Sequence, residues 1–211
     1  MANNVDHFTV GGDNLEQGVA ALQEALGVAL PRGSKHDAMS THNCVCQAGN
    51  DSFLELIAID PDAPDPGRAR WFTLDDPATQ ARIAARPRAL CWVVGTDDLD
   101  GIVARSPVDL GDVVFFQRGD RTWRLTVPKD GSLPEGGLIP AFIEWSPGPH
   151  PSTGQQDLGV RLTNIRLTTP DPAGLRQTLA TLGVDHLATV VEGERNLAFE
   201  LSAPSGAVVL D

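Results

Sequence analysis

The segment Leu90–Leu99 repeats the segment Asp6–Leu15 without a gap: Val94 answers Val10, Gly95 answers Gly11, Asp97 answers Asp13 and Leu99 answers Leu15. Internal self-similarity means that one supersecondary unit is used more than once, and that each copy must bury its apolar face against another. The echo resumes at the far end of each copy. There Phe53–Leu56 is answered by Phe142–Trp145, with the added residues assigned to the loop Pro128–Gly137. On this alignment Glu55 and Glu144 are internal counterparts, as are His7 and Cys91.

Each copy reads as strand, helix and three strands. In the first, Asp6–Gly11 is a strand, and Leu15, Val19, Leu22 and Leu26 recur at helical spacing after the caps Asp13 and Asn14, with Gly27 as the stop. A short strand around Val28–Arg32 follows, then the β-like runs Thr41–Ala48 and Phe53–Ile59, joined by the turn-rich Gly49–Ser52. The Pro/Asp stretch Asp60–Pro66 and a helix over Ala78–Ala85 connect the copies. The second copy continues with a helix over Asp98–Val103 and strands over Val113–Arg118 and Thr122–Val127. A weaker third copy has a strand over Leu162–Thr168 and a helix capped by Asp171 and Pro172 that carries Leu175, Leu179 and Leu182. Gly183 ends that helix, and strands at Leu187–Val191, Leu197–Leu201 and Ala207–Leu210 follow.

The fold class is therefore α+β: paired βαβββ modules, at about residues 5–60 and 88–147 of a domain spanning 1–151, form a cupped mixed β-sheet. The third βαβββ-like module, 158–211, packs on the same domain. With 211 residues, 41% of them hydrophobic, the chain can bury a substantial core. Sixteen basic residues against 28 acidic ones give a net charge of −12, which argues against nucleic acid and anionic lipid as partners. No apolar run approaches the length of a membrane helix, and Met1–Phe8 lacks the features of a secretory leader, so a cytoplasmic setting is expected. Three cysteines, an odd number with Cys44 and Cys46 one residue apart, fit a reducing compartment.

The chemistry-bearing residues follow from the repeat. If each module lends its first and last strands to one concave sheet, His7, Glu55, Cys91 and Glu144 converge across a pseudo-two-fold axis. Imidazole, carboxylates and thiolate all ligate divalent ions, and an ion with an open position polarises a substrate oxygen while a displaced glutamate acts as base. Cys91 sits in the apolar run Ala89–Val94 and reads first as a buried hydrophobe. His42, Trp92 and Arg124 are the substrate-pocket candidates; Arg70, Trp71 and Trp145 are further ones, and His150 stands where it could close the cup. The acidic turn Asp60, Asp62, Asp65 lacks the glycine and terminal glutamate of a calcium loop and reads as a solvated connector. Neither a nucleophile elbow nor a phosphate-binding glycine loop is present, and the chain has no tyrosine.

The paired-module layout, with His7, Glu55 and Glu144 on first and last strands, resembles the vicinal oxygen chelate superfamily. Its glyoxalase-like branch is resembled more closely, through Asp6–His7, Thr41–Asn43, Leu54–Pro61, Arg70–Phe72, Trp123–Pro128 and Phe142–Trp145. The resemblance implies a divalent metal (Zn, Ni, Mn or Fe) on His7, Glu55 and Glu144, with Glu55 and Glu144 as the catalytic carboxylates of an isomerase or lyase. The substrate would be a small oxygen-rich molecule. Cys91 departs from the pattern, standing where related sequences look more like a histidine. That departure favours the rival reading, a metal-free protein that binds or sequesters a small molecule. The third module, with Val208 where Glu55 would align, either covers a sheet edge or pairs with a second chain in a homodimer.

Overall fold

The computed structural model describes residues 3–211. Its first module comprises β1 (Asn4–Gly11), α1 (Leu15–Leu26), β2 (Arg32–His36), β3 (Thr41–Gly49) and β4 (Ser52–Ile59). After the connecting helix α2 (Pro77–Ala85), the second comprises β5 (Arg88–Gly95), α3 (Leu99–Arg105), β6 (Asp112–Arg118), β7 (Arg121–Val127) and β8 (Ala141–Trp145). The third contains β9 (Arg161–Thr169), α4 (Pro172–Leu182), β10 (Thr189–Glu192), β11 (Asn196–Ala203) and β12 (Gly206–Leu210). Local chemistry sets these limits: the Asn14 side chain accepts the Gln17 N–H at the start of α1, and Gly27 ends it at φ 76°, a left-handed conformation that suits glycine.

The strand expected at Val28–Arg32 lies instead at Arg32–His36. Leu30 is buried in the core and Pro31 has no N–H to give a ladder, so pairing begins only beyond it, with Arg32 opposite Cys44.

The first two modules share one eight-stranded sheet in the order β2-β3-β4-β1-β5-β8-β7-β6. In each module the last strand runs parallel to the first, β4 beside β1 and β8 beside β5, while β1 and β5 pair antiparallel at the centre. That arrangement is the pseudo-two-fold cup that the repeat demands. The third module keeps the β-α-β-β-β order but pairs differently. Its short β10 follows α4 after one turn and lies parallel to β9, giving a separate sheet β10-β9-β11-β12.

This second sheet covers the back of the cup. Phe199 of β11 meets Phe8 of β1 with ring centroids 5.0 Å apart, and Ile165, Leu167, Leu179 and Leu182 join Val10, Leu56, Trp92 and Phe142 in the larger core. Strand alternation sends the other side chains forward, where Ile57, Val93, Leu125 and Ile143 form a second core under the concave face. No helix among the described residues is long and apolar enough to cross a membrane.

Candidate active site in the cup

Period-two alternation places His7 of β1, Asn43 of β3, Phe53 and Glu55 of β4 on one wall of a cavity of about 200 Å³. Trp123 and Leu125 of β7 and Ile143 and Trp145 of β8 form the facing wall. Trp71 and Phe72, from the connector before α2, and Gln155, from the link between second and third modules, close the sides. The link itself is tied to β3, where the Gln47 N–H donates to the Gln156 carbonyl at 3.1 Å. Phe72 and Thr73 hold left-handed backbone at φ 60° and 58°, a conformation that costs about 1–3 kcal/mol at a non-glycine residue and is kept where the surroundings require it.

Asp6 organises one end of the cavity. A register shift in the β1–β5 ladder between Val5 and His7 breaks strict alternation and lets its side chain reach the rim. One carboxylate oxygen lies 2.6 Å from His7 Nδ1. The other accepts from Trp145 Nε1 at 2.7 Å and His150 Nε2 at 3.0 Å. Burial alone would raise the Asp6 pKa; the hydrogen bonds from His150 and His7, and their charges, outweigh it and bring the group down to about 2. Because Asp6 is ionised, His7 carries a proton on Nδ1, and Nε2 faces Glu55 Oε2 at 3.9 Å. The His7 pKa is raised: burial opposes the charged ring, but the Asp6 hydrogen bond and the charges of Asp6 and Glu55 prevail. Phe53 stacks on the imidazole at a centroid distance of 4.7 Å.

Glu55 is held on both oxygens. Asn43 Nδ2 donates to Oε1 at 2.6 Å and Thr9 Oγ1 donates to Oε2 at 3.0 Å. The Asn43 amide is itself oriented, since its Oδ1 accepts the Ser34 N–H at 2.7 Å and its Nδ2 lies 3.4 Å from His36 Nε2. Burial lowers the His36 pKa to about 4, so this ring is neutral, accepting at Nε2 and donating from Nδ1 to Thr41 Oγ1 at 3.1 Å. Gly33 permits the arrangement: a Cβ there would stand 2.2 Å from Asn43 Oδ1.

Of the three residues expected to hold a metal, two meet in this cavity and one does not. His7 and Glu55 are neighbours as expected. Glu144 projects from the back of β8, where Arg124 Nε donates to it at 2.8 Å and Arg124 Nη1 reaches Asp100 of α3 at 3.0 Å. Both partners therefore leave the site. The reason is register: Thr9 pairs with Glu55, its counterpart Val93 pairs with Ala141, and so the structural equivalent of Glu55 is Ala141. Matching Phe53–Leu56 to Phe142–Trp145 slips by three residues, and an odd slip turns every side chain to the other face.

Cys91 does align with His7, but it is fully buried behind Thr9. Burial raises its pKa well above the ordinary thiol value, so the sulfur stays protonated.

The pocket residues expected from sequence divide the same way. Trp92 points backward into the larger core and donates to the Leu138 carbonyl at 3.4 Å. His42 shares the back of β3 with Cys44 and Cys46 and lies 4.0 Å from Asp60. Trp71 and Trp145 do line the cavity, and His150 clamps Asp6 at its rim. Asp6, Thr9, His36 and Asn43 were not singled out as functional. For Asn43 a signal existed: Cys44 and Cys46 lie within one strand and on its apolar side, which must face a core, and this sends the odd-numbered residues to the cup.

The donor set does not fit the metal site on His7, Glu55 and Glu144 that the family resemblance implies. The second module offers a buried thiol and an alanine, Glu144 faces away, and both oxygens of Glu55 already accept hydrogen bonds. Among the described residues no three His, Cys, Asp or Glu side chains gather as a potential ion site.

An eight-stranded cup of two βαβββ modules, with its functional groups on the first and last strands of a module, is the architecture of the vicinal oxygen chelate superfamily. Within it, the glyoxalase-like domain profile matches residues 5–183, and the chain belongs to that family.

Similar solved structures include methylmalonyl-CoA epimerase from Mycobacterium tuberculosis, at 16% identity and a TM-score of 0.42, covering 69% of this chain and 89% of that one. A hypothetical protein from Bacillus halodurans C-125 is 13% identical at a TM-score of 0.44, covering 71% and 97%. A 4-hydroxymandelate synthase mutant from Streptomyces coelicolor is 14% identical at a TM-score of 0.45, covering 99% and 62%. No curated protein matches the sequence.

Proposed function

We propose that this chain is a cytoplasmic proton-transfer enzyme of the isomerase or lyase class, acting without a resident metal on a small oxygen-rich molecule held in the cup. The observation that carries the reading is the buried Asp6–His7 pair, with His7 Nε2 directed at Glu55 inside a cavity. Asp6 fixes the tautomer, leaving the Nε2 lone pair of neutral His7 to take a proton from carbon beside a carbonyl. The C–H electron pair moves onto the carbonyl oxygen as an enolate. In a 2-hydroxycarbonyl substrate the α-hydroxyl proton passes to the former carbonyl oxygen and the proton held by His7 returns to the former carbonyl carbon, completing an isomerisation. Where a β-substituent is present, its departure with the electron pair of its bond to carbon restores the carbonyl and completes an elimination. Glu55, held by Thr9 and Asn43, stabilises the imidazolium that forms in between. The three cysteines are free and buried, which suits a reducing compartment.

A second reading is a sequestering cup. It is favoured by the saturation of Glu55 with hydrogen bonds and by the aromatic facing wall. Incubation in D2O with a panel of small hydroxyketones and 2-oxo acids, followed by proton NMR, separates the two. The enzyme reading requires loss of a substrate C–H signal, slowed at least about 10²-fold in His7→Gln. Binding of panel members with no exchange in any would leave the sequestering reading standing.

A further inference from the structure

The cavity mouth carries two guanidinium groups that the proton-transfer chemistry does not use. Arg118, at the end of β6, lies over the Trp123 ring at 5.7 Å, and Arg121, at the start of β7, lies over Trp145 at 5.6 Å. Both line the cavity. Neither forms an ion pair with a carboxylate among the described residues, although the chain carries 28 acidic residues against 16 basic ones. Burial and the charge of Arg121 lower the Arg118 pKa, against a smaller opposing influence of Glu55.

Deeper in the same cavity, Trp71 is 5% exposed and its indole N–H has no hydrogen-bond partner. A buried unpaired donor costs about 1–3 kcal/mol and calls for an acceptor. The aromatic rings between it and the arginines require a flat apolar body.

We infer that the cup selects a small organic carboxylate, whose anionic group meets Arg118 and Arg121 at the mouth and whose flat body lies among Trp71, Trp123 and Trp145. Beyond a screening length of about 8 Å at physiological salt the net charge of −12 acts weakly. The carboxylates of the cup itself are already engaged, Glu55 by Thr9 and Asn43 and Asp6 by His7, Trp145 and His150, which leaves the two guanidinium groups at the mouth to meet an added anion. A guanidinium group held over an indole ring has a fork of N–H donors that can pair with a carboxylate in bidentate fashion. The inference rests on the cup being the ligand site, and it names the substrate class for the proposed reaction.

Benzoate and benzamide share shape and differ in charge, and three of the four tryptophans line the cavity, so quenching of intrinsic fluorescence reads binding directly. Benzoate should bind at least about ten-fold more tightly than benzamide, and Arg118→Gln should erase that preference by losing a charge-assisted contact. Arg121→Gln should weaken it in the same direction. Arg105→Gln, which removes one positive charge on α3 outside the cup, should leave both probes unchanged. His7→Gln should keep the benzoate preference even where it abolishes proton exchange, so the two proposals fail separately. Equal affinity for the two probes, or no saturable binding of benzoate, overturns the inference. So does an unchanged preference in Arg118→Gln, or displacement of benzoate by lower concentrations of inorganic phosphate.

Discussion

In the first half of the cup, β1 and β4 bring His7 and Glu55 within 3.9 Å of each other. In the second half, β5 and β8 put Cys91 and Ala141 at the equivalent ladder positions, and the space before them is filled by Trp123, Ile143 and Trp145. A shared backbone plan thus carries a hydrogen-bonded polar wall on one side and an aromatic wall on the other. What the difference teaches is that the repeat fixes where side chains can meet, while each copy is free to change what meets there. Trp145 shows the division of labour, since its ring belongs to the aromatic wall while its N–H donates to Asp6 on the polar one.

The sharpest way to break the comparison is to restore the missing half. Cys91→His with Ala141→Glu returns one imidazole and one carboxylate to positions opposite His7 and Glu55, completing four oxygen and nitrogen donors. Wild-type protein should show only weak zinc or nickel binding by calorimetry, and the double variant should gain several orders of magnitude in affinity. Circular dichroism checks that the sheet survives the larger side chains. No gain in a folded double variant would mean that the two ladders are not equivalent across the pseudo-two-fold.

A second effect tests the polar wall itself. In Asp6→Asn, the side chain can no longer accept at charged strength from His7, Trp145 and His150, and stability should fall by about 2–4 kcal/mol in denaturant titration. His7 should also lose the influence that raises its pKa, a change visible by NMR titration. Glu55→Gln should lower turnover strongly while leaving the aromatic wall able to hold a ligand. If Asp6→Asn left the His7 titration untouched, the pair would not be the working unit.

How much of this was legible in the sequence depends on what each inference required. The gapless echo of Asp6–Leu15 in Leu90–Leu99 reveals the modules, because first strand and helix pack alike in both and allow no insertion. It also brings His7 and Glu55 together, since both lie within one module. The far end of the second module was harder to read. Glu144 and Ala141 stand three residues apart, and only hydrogen-bond register tells which answers Glu55, because the intervening loop absorbs any offset without penalty. His42 and Trp92 failed for a related reason: a strand buried on both faces has apolar or neutral residues on each side, so alternation alone does not name the cup. Asp6 lay beyond strand logic altogether, since a ladder irregularity aims it.

Smaller effects should appear with pH, and the two histidines of the polar wall should act in opposite directions. His36 has a folded pKa of about 4 against an ordinary 6.5, so the unfolded chain takes the proton first. Its contribution is present above pH 6.5 and is lost as pH falls toward 4, on the order of 3 kcal/mol. His7 is shifted upward, so its contribution is present below 6.5 and is lost as pH rises through its folded value. Asp6, near 2, holds its contribution above 3.8 and loses it only under stronger acid. Denaturant titrations across pH should show the acid limb between 6.5 and 4 flattened in His36→Gln and the alkaline limb flattened in His7→Gln. If either substitution flattened the other's limb, the assignment of charge within the wall would be reversed.

The smallest expected effect belongs to the glutamate that the sequence repeat places in the site and the ladder removes. Glu144, 24% exposed, pairs with Arg124, which is 35% exposed and also reaches the exposed Asp100, so the cluster is open to solvent on the back of β8. Exposed pairs of this kind contribute about 0–1 kcal/mol. Glu144→Gln should therefore shift the denaturation midpoint slightly and leave both proton exchange and the benzoate preference at wild-type values, where Glu55→Gln impairs exchange. The same isosteric change at two glutamates then separates register from repeat. Loss of exchange in Glu144→Gln would return that residue to the chemistry and require β8 to slip by an odd number of residues against β5.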